Sequence, residues 1–416
     1  MKRSNRTCLV LAAVLTGFIA LSCGNYAIFH SISLEDNLTT PIIAGSPRNI
    51  VVTGSRMYTW RLNGREVWFF GHAGGGQWRW DTLSSPGGIV QGLAAVGENV
   101  FAAVDYGGTS QIRRYTPGVG WSYISSHHEY QIGRLFCAGD IFFARALVRA
   151  TMQYAILAFN DSGEMQEVRR GDYRNNIRGA AVLNGYIFVA TERDGIFRQS
   201  PSPSIGSINL QAITPPSDFT VTGMIATGNQ IVVVGSSNVP TLYVLRDASA
   251  FTTTPLILWG DGDHYWSWHA PSGQSFTGGL GFWYAFDSDA NQWQRRLLLA
   301  GIEISNLVNG YREISLDDDG NIPGALAPRV PGNRDEVAGN SSLQSRVIYN
   351  SNIGQRSVQF IQQAPNLNDP VGGNFFPDNP NGWEPPIFAS TSRAGLWVYY
   401  FRDDRWRADN NTTIWR

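Results

Sequence analysis

The sequence predicts an all-β protein, a single β-propeller of four-stranded antiparallel blades, seven in number with eight as the alternative. Three observations lead there. Short apolar-alternating runs broken by turn residues fill most of the chain and come in groups of four. The groups return at a nearly constant interval. The composition suits strands: 14 Trp, 16 Tyr and 21 Phe are punctuated by 45 Gly and 20 Pro, and 16% charged residues are too few for long amphipathic helices. A lone sheet of about forty residues cannot shield both of its faces, so copies must stack, and closing the stack into a ring leaves no bare face.

The clearest unit spans Gln91–Ser125, read as GLAAV, ENVFAAV, SQIRRYT and GWSYIS around a Gly107-Gly108 turn. A glycine between first and second strands marks the register at Gly54, Gly97, Gly139, Gly185 and Gly228, at intervals of 43, 42, 46 and 43 residues. Unit one reads NIVVTG, MYTWRL, EVWFFG, QWRWDT; unit three RLFCAG, IFFARALV, YAILAFN, MQEVRR. Unit four reads GAAVLNG, YIFVATER, GIFRQS, INLQAI; unit five GMIATG, QIVVVGS, TLYVLRD, LILWGD. After Trp259 the period loosens, although hairpins remain at 282–299 and 302–320 and strands at SRVIYNS and SVQFIQQ. Ile387–Gly395 (IFASTSRAG) then repeats Ile187–Gly195 (IFVATERDG), which argues for one repeat family over 48–416. Segments near 320–342 and 364–386, rich in Pro, Gly and Asn, read as long loops on one rim.

Residues 1–22 read as a signal peptide: Lys2, Arg3 and Arg6 precede the mostly apolar run Leu9–Leu21, which is shorter than the roughly 20 residues that span a bilayer. The run ends in Ala20-Leu21-Ser22-Cys23-Gly24. This resembles the lipobox of bacterial lipoproteins, and the resemblance implies that Cys23 becomes the mature N-terminus and carries acyl chains such as palmitate. The protein would then be exported and lipid-anchored to a bacterial membrane, periplasmic or at the cell surface. An ordinary signal peptide cut nearby, or an uncleaved anchor, is the alternative. Residues 23–47 read as the lipidated N-terminus and tether, within which Tyr26–Leu34 alternates enough to form a strand on the last blade. With Cys8 removed and Cys23 acylated, Cys137 in RLFCAG is expected to be a buried, inert thiol.

Four units carry an aromatic residue and then a Trp: Tyr115 and Trp121, Phe286 and Trp293, Phe401 and Trp406, and less regularly Trp60 and Trp68. Glycine pairs precede two of them, Gly107-Gly108 and Gly278-Gly279. The pattern resembles the Kelch repeat, which implies rings wedged between blades; units three to five lack that Trp. The IFVATERDGIF phrase is similar to blades of NHL-type and bacterial sensor propellers.

The most ligand-like stretch is Gly260–Gly273, where Asp261, Asp263, His264 and His269 could meet a cation and Tyr265, Trp266 and Trp268 could stack on a sugar. The same residues also read as a turn followed by an inner strand with packed Trp rings. Asp317 and Asp319 in DDDGN offer the oxygens calcium prefers, but Pro328 stands where an EF-hand loop closes with Glu. The leading reading of them is an acidic hairpin turn, and Ser315-Leu316-Asp317 with Gly320 weakly resembles the Asp-box turn of sialidases. His127-His128-Glu129 reads as a solvated loop, and Arg169-Arg170 and Arg295-Arg296 as charges on outer strands. A net charge of −1 gives no electrostatic footprint for nucleic acid. The chain contains no GxSxG, HExxH or P-loop motif.

The expected function is a non-catalytic binding scaffold for an envelope protein or glycan, with no cofactor unless calcium. The alternative is a sialidase- or glycosidase-like glycan hydrolase with an axial active site drawing on Asp261, Asp263, His264 and Glu303.

Overall fold

The computed structural model describes residues 41–54, 56–72, 78–171, 176–199, 204–213, 219–236, 240–246, 274–287, 292–303, 310–317, 319–322, 343–344, 358–364, 386–391, 395–400 and 405–408. Residues 1–22, expected as a signal peptide, Cys23 and Asp261, Asp263, His264, Trp266, Trp268 and His269 lie outside the described residues.

The strands pair as consecutive antiparallel meanders. Sheet 1 holds β1 (Val51–Thr53), β2 (Arg56–Trp60), β3 (Val67–His72) and β4 (Trp78–Thr82). Sheet 2 holds β5 (Ile89–Val96), β6 (Asn99–Tyr106), β7 (Thr109–Thr116) and β8 (Gly120–His127). Sheet 3 holds β9 (Tyr130–Ala138), β10 (Ile141–Val148), β11 (Tyr154–Phe159) and β12 (Met165–Gly171). Sheet 4 holds β13 (Ile177–Leu183), β14 (Tyr186–Thr191), β15 (Gly195–Gln199) and β16 (Gln211–Ile213). Sheet 5 holds β17 (Thr220–Thr227), β18 (Gln230–Ser236) and β19 (Pro240–Arg246). Sheet 6 holds β20 (Gln274–Asp287), β21 (Gln292–Glu303), β22 (Gly310–Ser315) and β23 (Leu343–Gln344). Sheet 7 holds β24 (Val358–Gln363), β25 (Ile387–Thr391), β26 (Leu396–Tyr400) and β27 (Arg405–Ala408).

Among the described residues six of these sheets are four-stranded blades, where seven or eight were expected. The fifth sheet has three strands among the described residues, because the run expected as its outer strand, Leu256–Asp261, lies outside them.

The first strand of each sheet lies beside the first strand of the next, so these strands line the inside of the ring. The second strands are the ones buried on both faces. On β10, Phe142 enters the core shared with sheet 2, and its neighbour Phe143 enters the core shared with sheet 4. The same two-residue alternation splits Phe188 from Val189 on β14, and Val232 and Val234 from Ile231 and Val233 on β18. A strand with no solvent face reads as an unbroken apolar run, which is why VFAAV, IFFA and IVVVG stand out in the sequence. Between β6 and β7, Gly107 and Gly108 take φ of 58° and 83°, the left-handed pair a two-residue hairpin needs.

The ring closes through side chains. Phe388, Leu396 and Val398 of sheet 7 share a core with Met57, Phe70, Trp78 and Trp80 of sheet 1. The Phe388 ring stands edge-on to Phe70 at 4.9 Å and to Trp80 at 5.2 Å. Upstream of β1, Ile43 joins that core, and the Leu396 and Gly395 N–H groups donate to the Ile43 and Gly45 carbonyls at 3.0 and 2.9 Å.

Two sequence expectations change. Arg295 and Arg296 sit on β21, the second strand of its sheet rather than an outer one, and Arg296 is 5% exposed. Arg295 lies over the Phe282 ring at 4.0 Å, so its stem and guanidinium pack instead of guarding an edge. His127 ends β8 in a partly buried position, with its Nε2 3.0 Å from Ser125 Oγ and its ring edge-on to Phe159 at 5.4 Å. Burial pushes its pKa down. By contrast, Arg169 and Arg170 do lie on β12 at the outer edge, and Arg170 pairs with Glu167 at 2.7 Å.

Cys137 on β9 packs beside the core between sheets 2 and 3, and its Sγ donates to the Gly139 carbonyl at 3.2 Å. Burial first, and Asp140 second, push the thiol up to about 11. With Cys8 and Cys23 replaced by serine, a disulfide reagent at pH 8 should react with the folded protein roughly a hundredfold more slowly than with the unfolded chain, because so little thiolate is present. Equal rates in the two states would refute the partly buried thiol with its raised pKa.

Candidate functional site

The site is built by one repeated irregularity. Where β5 pairs with β6, the ladder slips between Val90 and Gly92 and leaves Gln91 unpaired. The slip recurs at Arg178 between Ile177 and Gly179, at Thr222 between Val221 and Gly223, and at Gln359 between Val358 and Phe360. On β9, Gly133 and Arg134 together oppose Arg145, and on β20 the slip spans Thr277–Gly279. A bulge adds one residue to one strand, bends it and re-aims the side chain. Sheet 1 contributes Arg48, which lies five residues before the end of β1 as Gln91 lies five before the end of β5. Its N–H donates to the Trp60 carbonyl at 2.7 Å, fixing it beside β2.

Glycine after the bulge has a packing reason. A Cβ on Gly92 would stand 2.7 Å from Gly133 O, 2.7 Å from Leu135 N and 2.9 Å from Arg134 Cα. One on Gly179 would stand 2.8 Å from Met224 Cβ. Successive inner strands therefore touch at the bulge, backbone against backbone. Bonds between sheets lock the same level: the Val90 N–H donates to Gly64 O at 2.9 Å, and the Val221 N–H to Glu192 O at 3.0 Å.

At this level the chain gathers guanidinium groups. Arg134 is pushed down to about 10, first by burial and then by the positive charges of Arg48, Arg178 and Arg145. Burial also depresses Arg48. Arg145 Nη2 donates to the Tyr154 hydroxyl at 2.6 Å, and the guanidinium lies 4.4 Å above that ring. Arg178 Nη2 donates to Glu192 Oε2 at 2.7 Å, and Asn176 Nδ2 donates to the same oxygen at 2.8 Å. Among the described residues, Glu192 is the one carboxylate bonded to this group, and Arg134 forms no ion pair. Arg178 Nε is buried without an acceptor. The arrangement can hold negatively charged oxygen, since clustered guanidiniums out of water repel one another until an anion separates them.

The sequence-level candidates fall elsewhere. Asp317 Oδ1 accepts the Asn321 N–H at 2.7 Å, the Asp317 N–H donates to Asn321 O at 2.9 Å, and Asp319 is exposed. That turn docks on the β17–β18 turn: Asn321 Oδ1 accepts the Asn229 N–H at 2.7 Å, and the Ile322 N–H donates to Gln230 Oε1 at 2.9 Å. Of Glu303, only its place at the end of β21 is described. No three His, Cys, Asp or Glu side chains come together among the described residues. The Tyr115 and Trp121 rings lie 5.4 Å apart and pack against Tyr58, Trp60 and Val67 of the neighbouring sheet.

No family model and no curated protein matches the sequence. Among solved structures, the chain is similar to the WD40 β-propeller domain of Doa1, at 8% identity and a TM-score of 0.48 over 88% of this chain and 95% of that one. It is similar to Sqt1 of Saccharomyces cerevisiae, at 11% identity and a TM-score of 0.45 over 90% and 89%. It is also similar to the extracellular domain of a hybrid two-component system from B. thetaiotaomicron, at 12% identity and a TM-score of 0.46 over 87% of this chain and 39% of that one. The β-propeller architecture stands on the chain's own strand pairing and inter-sheet packing.

Proposed function

We propose that the protein is an exported lipoprotein, anchored through Cys23, whose propeller is a non-catalytic binding scaffold for a protein or glycan in the bacterial cell envelope. The observation that carries this reading is the repeated bulge, which brings residues of successive sheets to one level of the ring. Such a ring of side chains supplies many contacts to one ligand and asks for no bond to be made or broken. Asp261, Asp263, His264, Trp266, Trp268 and His269 would extend the contact surface, and Asp317 and Asp319 are the proposed calcium contacts. The arginines also suit the alternative, a hydrolase of acidic glycans. That chemistry needs two carboxyl groups about 5–10 Å apart, and among the described residues bonded at this level Glu192 stands alone, held by Arg178 and Asn176.

Radioactive palmitate fed to expressing cells should label the wild-type protein, and the label should vanish with the membrane fraction in Cys23→Ala. An unchanged label and membrane fraction in the variant would remove the anchor from the proposal. Capture of a partner from detergent-solubilised envelopes by the purified protein tests the scaffold role; turnover of an envelope glycan by the same preparation would favour the hydrolase.

A further inference from the structure

We infer that Arg48, Arg134, Arg145 and Arg178 form an oxyanion-binding site on the inner strands, taking a carboxylate or phosphate group of the scaffold's ligand. The inference deepens the scaffold reading and rests on it, because it names the chemistry of the bound group.

Placement is the first argument. Arg134 and Arg178 are bulge residues of adjacent sheets, Arg145 is the residue opposite the β9 bulge, and Arg48 holds the matching position on sheet 1. These positions come together only through the curvature of the ring, and the glycines that follow bulges hold neighbouring inner strands in backbone contact there. Charge is the second argument. Four guanidiniums share one bonded carboxylate among the described residues, and that carboxylate already accepts from both Arg178 and Asn176. A cationic group that is partly withdrawn from water and short of counter-charge is costly when empty and is relieved by an anion. Donor geometry is the third. Arg145 is oriented by the Tyr154 hydroxyl and ring, and Arg178 by Glu192, so two forks are held before a ligand arrives. Planar forks suit the paired oxygens of a carboxylate or phosphate.

The test uses the full chain in detergent, melted by tryptophan fluorescence at constant ionic strength. The probes are inorganic phosphate and D-galacturonate, with chloride and neutral D-galactose as controls. A ligand that binds only the folded state raises the melting temperature as its concentration passes its dissociation constant. A saturable rise with phosphate alone assigns the site to phosphate groups, and with galacturonate alone to acidic sugars. A rise with both marks a general oxyanion site, and a rise with neither overturns the proposal. In Arg134→Gln or Arg48→Gln the anion affinity should fall at least tenfold; a folded variant of each that keeps the full rise overturns it. Should neither variant fold, calorimetric titration of the wild-type chain with the same anions decides, since absent heat overturns the site. Loss of anion binding with partner capture intact removes this site and leaves the scaffold role standing; the reverse result removes the scaffold role alone.

Discussion

Replacing Phe142 with alanine should destabilise the protein by about 3–5 kcal/mol, the range for truncating a fully buried Phe. Phe142 is 0% exposed, and its ring lies 4.8 Å from Phe101 of the neighbouring sheet and stacks on Phe159 at 5.2 Å with planes 9° apart. Its other neighbours in that core include Ala103, Ala144 and Ala146, which cannot swing in to fill a void. Two sheets would lose their shared wedge at once. Urea unfolding should show a lower midpoint with an unchanged slope. Tyr106→Ala, at a residue 57% exposed, should shift the midpoint by less than about 0.5 kcal/mol equivalent. A Phe142→Ala protein as stable as the wild type would mean that sheets 2 and 3 do not meet as described.

The second large effect is expected at Gly92→Val, at a cost of about 1–3 kcal/mol or more. The three nearest atoms its Cβ would meet all belong to the β9 backbone, 2.7–2.9 Å away, and none is the free end of a flexible side chain. The inner strand of sheet 3 would have to move, taking Arg134 with it. Gly133→Ala is the matched control. Its added Cβ would meet nothing closer than Arg145 O at 3.5 Å, an ordinary contact, so the change should be neutral or slightly stabilising through the unfolded chain. If the two variants unfold at the same urea concentration, the close approach of the inner strands is refuted.

These two sites also mark what was and was not legible in the chain. Double-faced burial writes apolar runs, so second strands such as Asn99–Tyr106 and Ile141–Val148 were visible, as were the turns marked by Gly97 and Gly228. The outer strand of sheet 4 was overread: INLQAI was expected, but only Gln211–Ile213 pairs. Upstream, the Asn209 N–H goes to Gln199 Oε1 and the Ile208 N–H to Gln166 Oε1, so glutamine side chains take the bonds a strand partner would have taken. The bulges left a signal that apolar periodicity passes over, an apolar residue, a polar one and then glycine, at Val90-Gln91-Gly92, Ile177-Arg178-Gly179 and Val221-Thr222-Gly223. The arginine group left none. Arg48, Arg134 and Arg178 are far apart in sequence, and each reads singly as a surface charge until register and ring curvature bring them level.

Every described sheet is made of strands consecutive in the chain. Contact order within each blade is therefore low, and blades can form one after another as the polypeptide is synthesised, from the N-terminal side onward. The seam alone must wait. Until Phe388, Leu396 and Val398 arrive, Trp78, Trp80 and Phe70 of the earliest blade stay uncovered. Until the seam closes, that greasy flank is the natural target for a holdase or for misassembly with a second nascent copy, and a chain stopped before Phe388 keeps it bare for good.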